Sequence, residues 1–543
     1  MTDELRKVVQ GEILEDEKSR IHYSRDASLF EVKPKAIIFP KDVEDLKSLV
    51  SYVSREKKDH PELALTARSA GTDMTGGPLS ESMVLDFTKH FNHIKEVGDG
   101  YAISESGVFY RDFEKETLAR GWFLPSYPAS REICAIGGMV NNNSGGEKSL
   151  IYGKTQNYVE ELKMVLRDGN EHTIKKISKV ELNQKRRQED FESGIYRQIH
   201  DLLEKNQEVI KNSRPRVSKN SSGYNIWDVW DGEHFDLTKL FVGAQGTLGI
   251  MTEVKLRLVR PKSNSGMLVV FLKDLLKLDQ IVNVVMPLKP SSFEAFDNHT
   301  LKLALRFFRG FIKLLGAGNA INLAWQFLPE FFMLLTTGLP KLVLLVEFEG
   351  DSADEVVQKV SGLKKTLDKM KIKSRLATTA QEAKKYWAIR RESFNLLRQK
   401  IKGKQTAPFV DDLIVQPDQL DEFLPKLYEI LDRYQMLYTI AGHIGDGNLH
   451  IIPLMVLADE KERAKIAPVM DEVYKLTLSF GGSITAEHND GLIRSPYLSM
   501  MYGEEVYKIF ESIKNIFDPD RIFNPGKKVG ASLEYALAHL KKS

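Results

Sequence analysis

Apolar and polar positions in the first 260 residues follow two different periods. Residues 36–39 form a short apolar run that Pro40 stops, and Val43, Leu46, Leu49, Val50 and Val53 then keep the spacing of one helix face. The pattern predicts a strand followed by an amphipathic helix. LALTARS, MVLDF (83–87), YAISESGV and ELKMVLRDG read as further strands, with turns at Gly100 and at Asp168-Gly169. A helix is predicted over 196–212. The run LFVGAQGTLGIMTEVKLRLV alternates like a strand after a glycine turn. After Pro261, MLVVFLKD, LVLLVEFEG and LYTIAGHIGDGNLHIIPLM read as strands of a second sheet, with helices at 353–371, 418–433 and 460–479. Past residue 490, two short helices lead to a Pro-rich close, IFDPDRIFNPGKK. No internal repeat interrupts this order. The expected organisation is an extension (1–30), a first α+β domain (31–260), a second α+β domain with an antiparallel sheet (261–490), and a segment (491–543) that returns to the first.

Composition narrows the picture only a little. The 543 residues are 42% hydrophobic and 28% charged, so the chain can bury a core without disulfides or structural metals. A single cysteine, Cys134, excludes an internal disulfide, a four-cysteine cluster and a cysteine-rich zinc site, and points to a reducing compartment. Lys+Arg 77 against Asp+Glu 75 leaves +2, which gives no general attraction to nucleic acid. The acidic, polar start has neither a secretory core nor transit-peptide character, and no run reaches the ~20 apolar residues of a membrane span. The expectation is a cytoplasmic protein, or one attached to the inner face of the cytoplasmic membrane.

Three glycine loops carry the first candidate chemistry. Arg68-Ser69-Ala70-Gly71-Thr72-Asp73 opens a loop that runs to Gly77, after a strand. Residues 137–153 read GGMVNNNSGGEKSLIYG, and 243–250 read GAQGTLGI. Glycines let the backbone approach a ligand, and successive N–H groups form a nest for phosphate oxygens. Neither GxGxxG at helix spacing nor GxxxxGK[ST] is present. Three such loops in one unit suggest an extended ligand with a diphosphate and a flat ring; a single loop would read equally well as a polar turn. Their order, with PSYPAS and YGKT between them, resembles the FAD-binding domain of the vanillyl-alcohol oxidase/p-cresol methylhydroxylase flavoproteins. The resemblance implies a two-subdomain FAD-binding fold of that type over 31–260, with the diphosphate on Arg68 to Gly77. It places the flavin ring near Pro128, Ser130, Gly137 and Gly138, and puts Asn143, Gly146, Gly153, Gly246, Ile250 and Asn524 along the rest. Thr72 stands near the position where many members attach FAD to a histidine, so non-covalent FAD is expected. Cys134 reads as a small packed residue.

The second candidate lies in GHIGDGNLH and TAEHNDG. His443 and His450 flank a Gly-Asp-Gly turn, and Glu487 and His488 follow 37 residues later. Two imidazoles and one carboxylate form a metal set that leaves coordination positions open. The plainer alternative is two core histidines and a surface acid. With SITAEHNDG and FDPDRIFNPGK, these motifs resemble the C-terminal domain of FAD-linked oxidases, found in flavin D-lactate dehydrogenases, D-2-hydroxyglutarate dehydrogenases and glycolate oxidase subunits. The resemblance implies a divalent metal (Zn, Mn or Fe) on His443, His450 and Glu487, and His488 as the base. Arg390 or Arg391 would hold the substrate carboxylate, with Arg390 at the matching position. The chemistry is that of a 2-hydroxy acid: arginine binds the carboxylate by a fork, a metal lowers the hydroxyl pKa, imidazole takes the proton, and the α-hydrogen leaves as hydride to flavin.

Three departures bear on the substrate. Asn489-Asp490 follow Glu-His where relatives place glycine, Ile452 stands where several place an asparagine, and Val410 to Asp412 hold no lysine for a distal carboxylate. A small monocarboxylate such as D-lactate is favoured, ahead of D-2-hydroxyglutarate or glycolate. Residues 301–340 add a basic stripe (Lys302, Arg306, Arg309, Lys313) beside an apolar one at the same helical period. This fits an interfacial helix on an anionic membrane, or else a cap-domain helix with a solvated face. A membrane quinone or cytochrome would then accept the electrons. The competing readings are a non-redox transferase like alkyl-dihydroxyacetone-phosphate synthase, whose expected histidine tract is missing, and a flavin subunit for electron-transfer assembly.

Overall fold

The computed structural model describes residues 2–298, 300, 339–377, 379, 382–390 and 403–542. A first sheet orders Glu12–Leu14, Ala36–Phe39, Met83–Asp86 and Leu65–Arg68, the last three parallel. Parallel neighbours need a crossover, and the helix Val43–Glu56 lies in the first of them. Asp42 caps it by accepting from the N–H groups of Glu44 and Asp45, and Leu46, Leu49, Val50 and Val53 are fully buried beneath it. Each such side chain contributes about 1.5–3 kcal/mol of transfer free energy. A second, antiparallel sheet orders Ile94–Val97, Tyr101–Glu105, Ile250–Arg257, Val159–Val165 and Glu171–Lys175. The helix expected over 196–212 is two helices, Phe191–Lys205 and Gln207–Ser213, because Asn206 leaves helical geometry at φ −112°, ψ 20°.

The large sheet is antiparallel and eight-stranded. Its order is Lys373–Ala377, Asn264–Leu272, Leu342–Gly350, Ser292–Asp297, Leu437–His443, Asn448–Met455 and Gln405–Thr406, with Leu413–Ile414 also paired to Asn448–Met455. Helices Leu278–Val285, Ala353–Lys369, Leu420–Arg433 and Ile466–Ser479 cover one face, where Leu268, Val270, Leu344, Val346, Ile440 and Ile451 join the main core. The opposite face is also buried in part: Met267, Val269, Phe296, Val343 and Leu345 pack with Tyr386, Trp387 and Ile389. A sheet with two interiors can hold polar chemistry on the second one.

Past Gly491–Arg494, Leu498–Phe517 is two helices, as expected, that meet at a kink at Gly503 (φ 79°, ψ 162°), a backbone that glycine adopts freely. Val506, Ile509, Phe510, Ile513 and Phe517 of the second pack into the first domain, and Phe523 bridges to Leu65. Of the 301–340 insert, residues 301–338 lie outside the described residues. Among the described residues, no helix is long and apolar enough to cross a membrane.

Candidate active site between the glycine loops and the large sheet

The three glycine loops meet in space. A Cβ placed on Gly138 would lie 3.7 Å from the Ser69 Cβ, and one on Gly246 would lie 3.7 Å from the Ala67 Cβ. The Asn141 side chain accepts from the Gly246 N–H, and Asn524 donates to the carbonyls of both Gly77 and Gln245. Gly137 and Gly146 allow close backbone contact: a Cβ there would stand 2.5 Å from the Ser106 carbonyl and 2.2 Å from that of Tyr127. Asp73 gathers the loop by accepting from Thr75 and the Gly77 N–H. Ser106 Oγ, Asn142 Oδ1 and Asp73 Oδ1 are buried without a hydrogen-bond partner. Orphaned polar atoms beside glycine-lined backbone suit a polar ligand, and the residues present fit a dinucleotide. Ala70, Gly71 and Thr72 stay partly exposed on the first loop.

Several expected contacts have other tasks. The Arg68 guanidinium donates to the carbonyls of Tyr23 and Arg25 and lies over the Tyr23 ring, so it holds the N-terminal strap. Asn143 (φ 53°) exchanges hydrogen bonds with Gln156. Ile250 opens a strand and is buried. Pro128 and Ser130 form a turn whose carbonyls accept from Arg131 and Cys134, and Gly153 (φ 71°) ends a short helix against Asn157. Burial pushes the Cys134 thiol up to about 12, in keeping with a packed residue.

The histidines converge because of strand register. Glu294 pairs with His443 and Ala441 pairs with His450, so Glu294, His443 and His450 share the face that carries Phe296 and Ala441. The His443 and His450 ring centroids are 5.1 Å apart, and His450 stacks on His488 at 4.9 Å and 19°. Ligand atoms of His443, His450 and Glu487 all lie within 4.8 Å of one another, which fits one cation. Asp411, His450 and His488 form a second grouping of the same kind. The His443 Nδ1 lies 2.5 Å from Glu294, which leaves its Nε2 facing Glu487 at 3.5 Å. Arg390 donates to the other Glu294 oxygen at 3.1 Å. The expected arginine therefore stands next to the expected ligand, while Arg391 lies outside the described residues.

The loop that carries Glu487 and His488 is tied down by Asp412, whose Oδ2 accepts from Thr485 Oγ1 and from the N–H groups of Glu487 and His488. Asp411 lies against both His450 (3.2 Å) and His488 (2.6 Å). Burial opposes protonation of His488, but the carboxylates of Asp411 and Asp412 outweigh it and hold the ring up to about 9. Burial likewise opposes protonation of His443, and Glu294 with Glu487 raises it to about 9. His450 is lowered, chiefly by burial. Glu487 stays ionised well below the usual range: burial opposes this, and Lys219 and His443 prevail.

The first domain reaches into this cluster. Lys219 places its ammonium 2.5 Å from Glu487 and 2.8 Å from Asp446 of the Gly-Asp-Gly turn. Lys154 donates to the Ala486 carbonyl, the Asn220 carbonyl and Ser221 Oγ. A Cβ on Gly145 would come within 3.1 Å of Glu487. Asn142 donates to the Glu487 carbonyl, and Asn489 (φ 71°) donates to the carbonyls of Asn142 and Gly243. Ile452 is buried in its strand, paired with Thr439. Sequence reasoning missed Glu294, Asp411, Asp412, Lys154 and Lys219. The available signal was charge inside an apolar run, as in FVDDLIV.

The glycine-loop cradle abuts the histidine cluster, as expected if one site spans both domains. Two family models match the chain: an FAD binding domain at residues 34–175, and the C-terminal domain of FAD linked oxidases at 263–528. The chain combines the two domains of an FAD-linked oxidase. It is 27% identical over 525 residues to a D-2-hydroxyglutarate dehydrogenase of Pseudomonas putida, covering 95% of this chain and 50% of that protein. The chain thus spans about half the length of the first curated relatives it matches. It is 26% identical to the glycolate oxidase subunit GlcD of Bacillus subtilis, covering 94% of this chain and 92% of that protein. The fold is that of p-cresol methylhydroxylase, with a TM-score of 0.68 at 15% identity over 97% of this chain and 95% of that one.

Proposed function

We propose that this FAD-linked oxidase oxidises a small D-2-hydroxy acid to the 2-oxo acid. The reading is carried by one observation: a two-imidazole, one-carboxylate triad, a third imidazole and a carboxylate-matching arginine stand together against the flavin-side loop at Gly145. Bound there, FAD supplies the two-electron acceptor and a divalent cation a Lewis acid. Arg390 binds the substrate carboxylate, and Glu294 orients it. Once deprotonated, which its raised value of about 9 sets on the alkaline side, His488 takes the hydroxyl proton at its Nε2. His443, His450 and Glu487 hold the cation, with Glu294 and Asp411 bracing the imidazoles from behind.

The relatives named D-2-hydroxyglutarate dehydrogenase support a dicarboxylate substrate. The lack of lysine at Val410 to Asp412 favours a monocarboxylate such as D-lactate. We place the reduced flavin's electron acceptor, a quinone or cytochrome, at a membrane surface met by residues 301–340. Deleting that segment should release the protein from membranes and spare dye-linked activity; a deleted form that still sediments with membranes sinks the anchor.

Dye reduction with D- and L-lactate, D- and L-2-hydroxyglutarate and glycolate tests the reaction. D-enantiomers should reduce the dye, and His488→Ala should lose the rate by about 100-fold or more. Retained fast reduction in that variant would remove His488 from its role.

A further inference from the structure

Two neighbouring aspartates divide the work behind the imidazoles. Asp412 spends its carboxylate on the backbone of the loop, on Thr485 and on Asn448 Nδ2. Asp411, fully buried, spends its carboxylate on rings: Oδ1 on the His450 Nδ1 and Oδ2 on the His488 Nδ1. Its backbone is fixed independently, since the Asp411 carbonyl accepts from Arg494 Nη2 at 2.5 Å. An ionised carboxylate only accepts, so each Nδ1 must carry the hydrogen. In the neutral rings this leaves both Nε2 lone pairs free, and the stacked geometry keeps the two rings nearly parallel.

We propose that Asp411 is a positioning residue whose one carboxylate sets the tautomer and orientation of both a cation-ligand imidazole and the proton-accepting imidazole. The task of His488 rests on the oxidation reading above; the tautomer claim does not. Asp411→Asn keeps the size but offers one oxygen and one NH2, so it cannot accept from both rings. Asp411→Glu keeps two acceptors.

Three measurements on the FAD-loaded full chain test this. Competition of Mn2+ against a chelator should show affinity lowered about 10–100-fold in Asp411→Asn. Anaerobic flavin reduction by D-lactate or D-2-hydroxyglutarate at saturating Mn2+ should be slower by about 100-fold, with partial rescue in Asp411→Glu. Ring-nitrogen NMR of the wild type at alkaline pH, where the rings are neutral, should show hydrogen on Nδ1 of His450 and His488. Asp411→Asn should move that hydrogen to Nε2 on one ring. Loss of metal affinity without loss of rate, or the reverse, overturns the shared role. So does Nε2–H in the wild type, a result that stands even if Asp411→Asn fails to fold. Wild-type flavin that no D-2-hydroxy acid reduces would sink the oxidation reading, and the metal and NMR results would still decide the role of Asp411.

Discussion

Glu294 shows what a single residue hides in a sequence. In SSFEAFD it alternates with Phe293 and Ala295 and so reads as solvent-facing, yet it is 1% exposed because both faces of its sheet are covered. His443, His450, Glu487, His488 and Arg390 were legible because their chemistry is uncommon in their surroundings. Their bracing acids were not, since an acid between apolar residues looks like ordinary alternation. Asp26, beside Asp73 of the first glycine loop, offers a titration test. Burial, then the nearby Asp73 carboxylate, pushes Asp26 up to about 7, and its Oδ2 has no partner. Unfolded, it titrates near 3.8. Between those values the folded chain keeps a proton that the unfolded chain has released, so this group makes stability fall as pH rises from about 4 to about 7. Asp26→Asn keeps an acceptor for Ser28 and removes the charge. Melting curves should coincide near pH 4 and part by on the order of 2 °C at pH 8, the variant higher; a lower-melting variant at pH 8 contradicts this.

At the scale of elements, strands and amphipathic helices followed their periods, and errors fell where a single residue breaks geometry. Asn206 splits a helix that periodicity joined, whereas the break at Gly503 falls between two helices, as the sequence reads them. The hairpin between His443 and His450 depends on a similar detail. Gly447 has φ 76°, and a Cβ there would stand 1.9 Å from the Val415 carbonyl. Gly447→Ala should cost about 1–3 kcal/mol in backbone strain, seen as a lower melting temperature. Because the turn sets the His443–His450 register, retained Mn2+ should fall as well. A variant with unchanged melting and metal content would mean the turn adapts.

Across the whole molecule, the site is made where the first domain crosses to the second, which periodicity along one chain cannot show. Glycine loops and histidine motifs were each legible, but their meeting depends on Lys154, Lys219 and Gly145 touching the segment 486–487. Lys219 is enclosed between Asp446 and Glu487, so Lys219→Met takes the ammonium from two buried carboxylates and leaves Glu487 with His443 and Asp446 with the Ser218 hydroxyl. The loss should be about 3–5 kcal/mol. Added Mn2+ should narrow the melting gap, because a cation restores the missing charge; a gap that Mn2+ widens would count against the triad as its site. The central claim is that the α-hydrogen of a D-2-hydroxy acid passes to the flavin at this junction. Its most direct test is anaerobic stopped-flow flavin absorbance with D-lactate and D-2-hydroxyglutarate carrying hydrogen or deuterium at C2. The flavin should bleach with at least one of them, and more slowly when C2 bears deuterium. Flavin that stays oxidised with both acids in metal-loaded protein would contradict it.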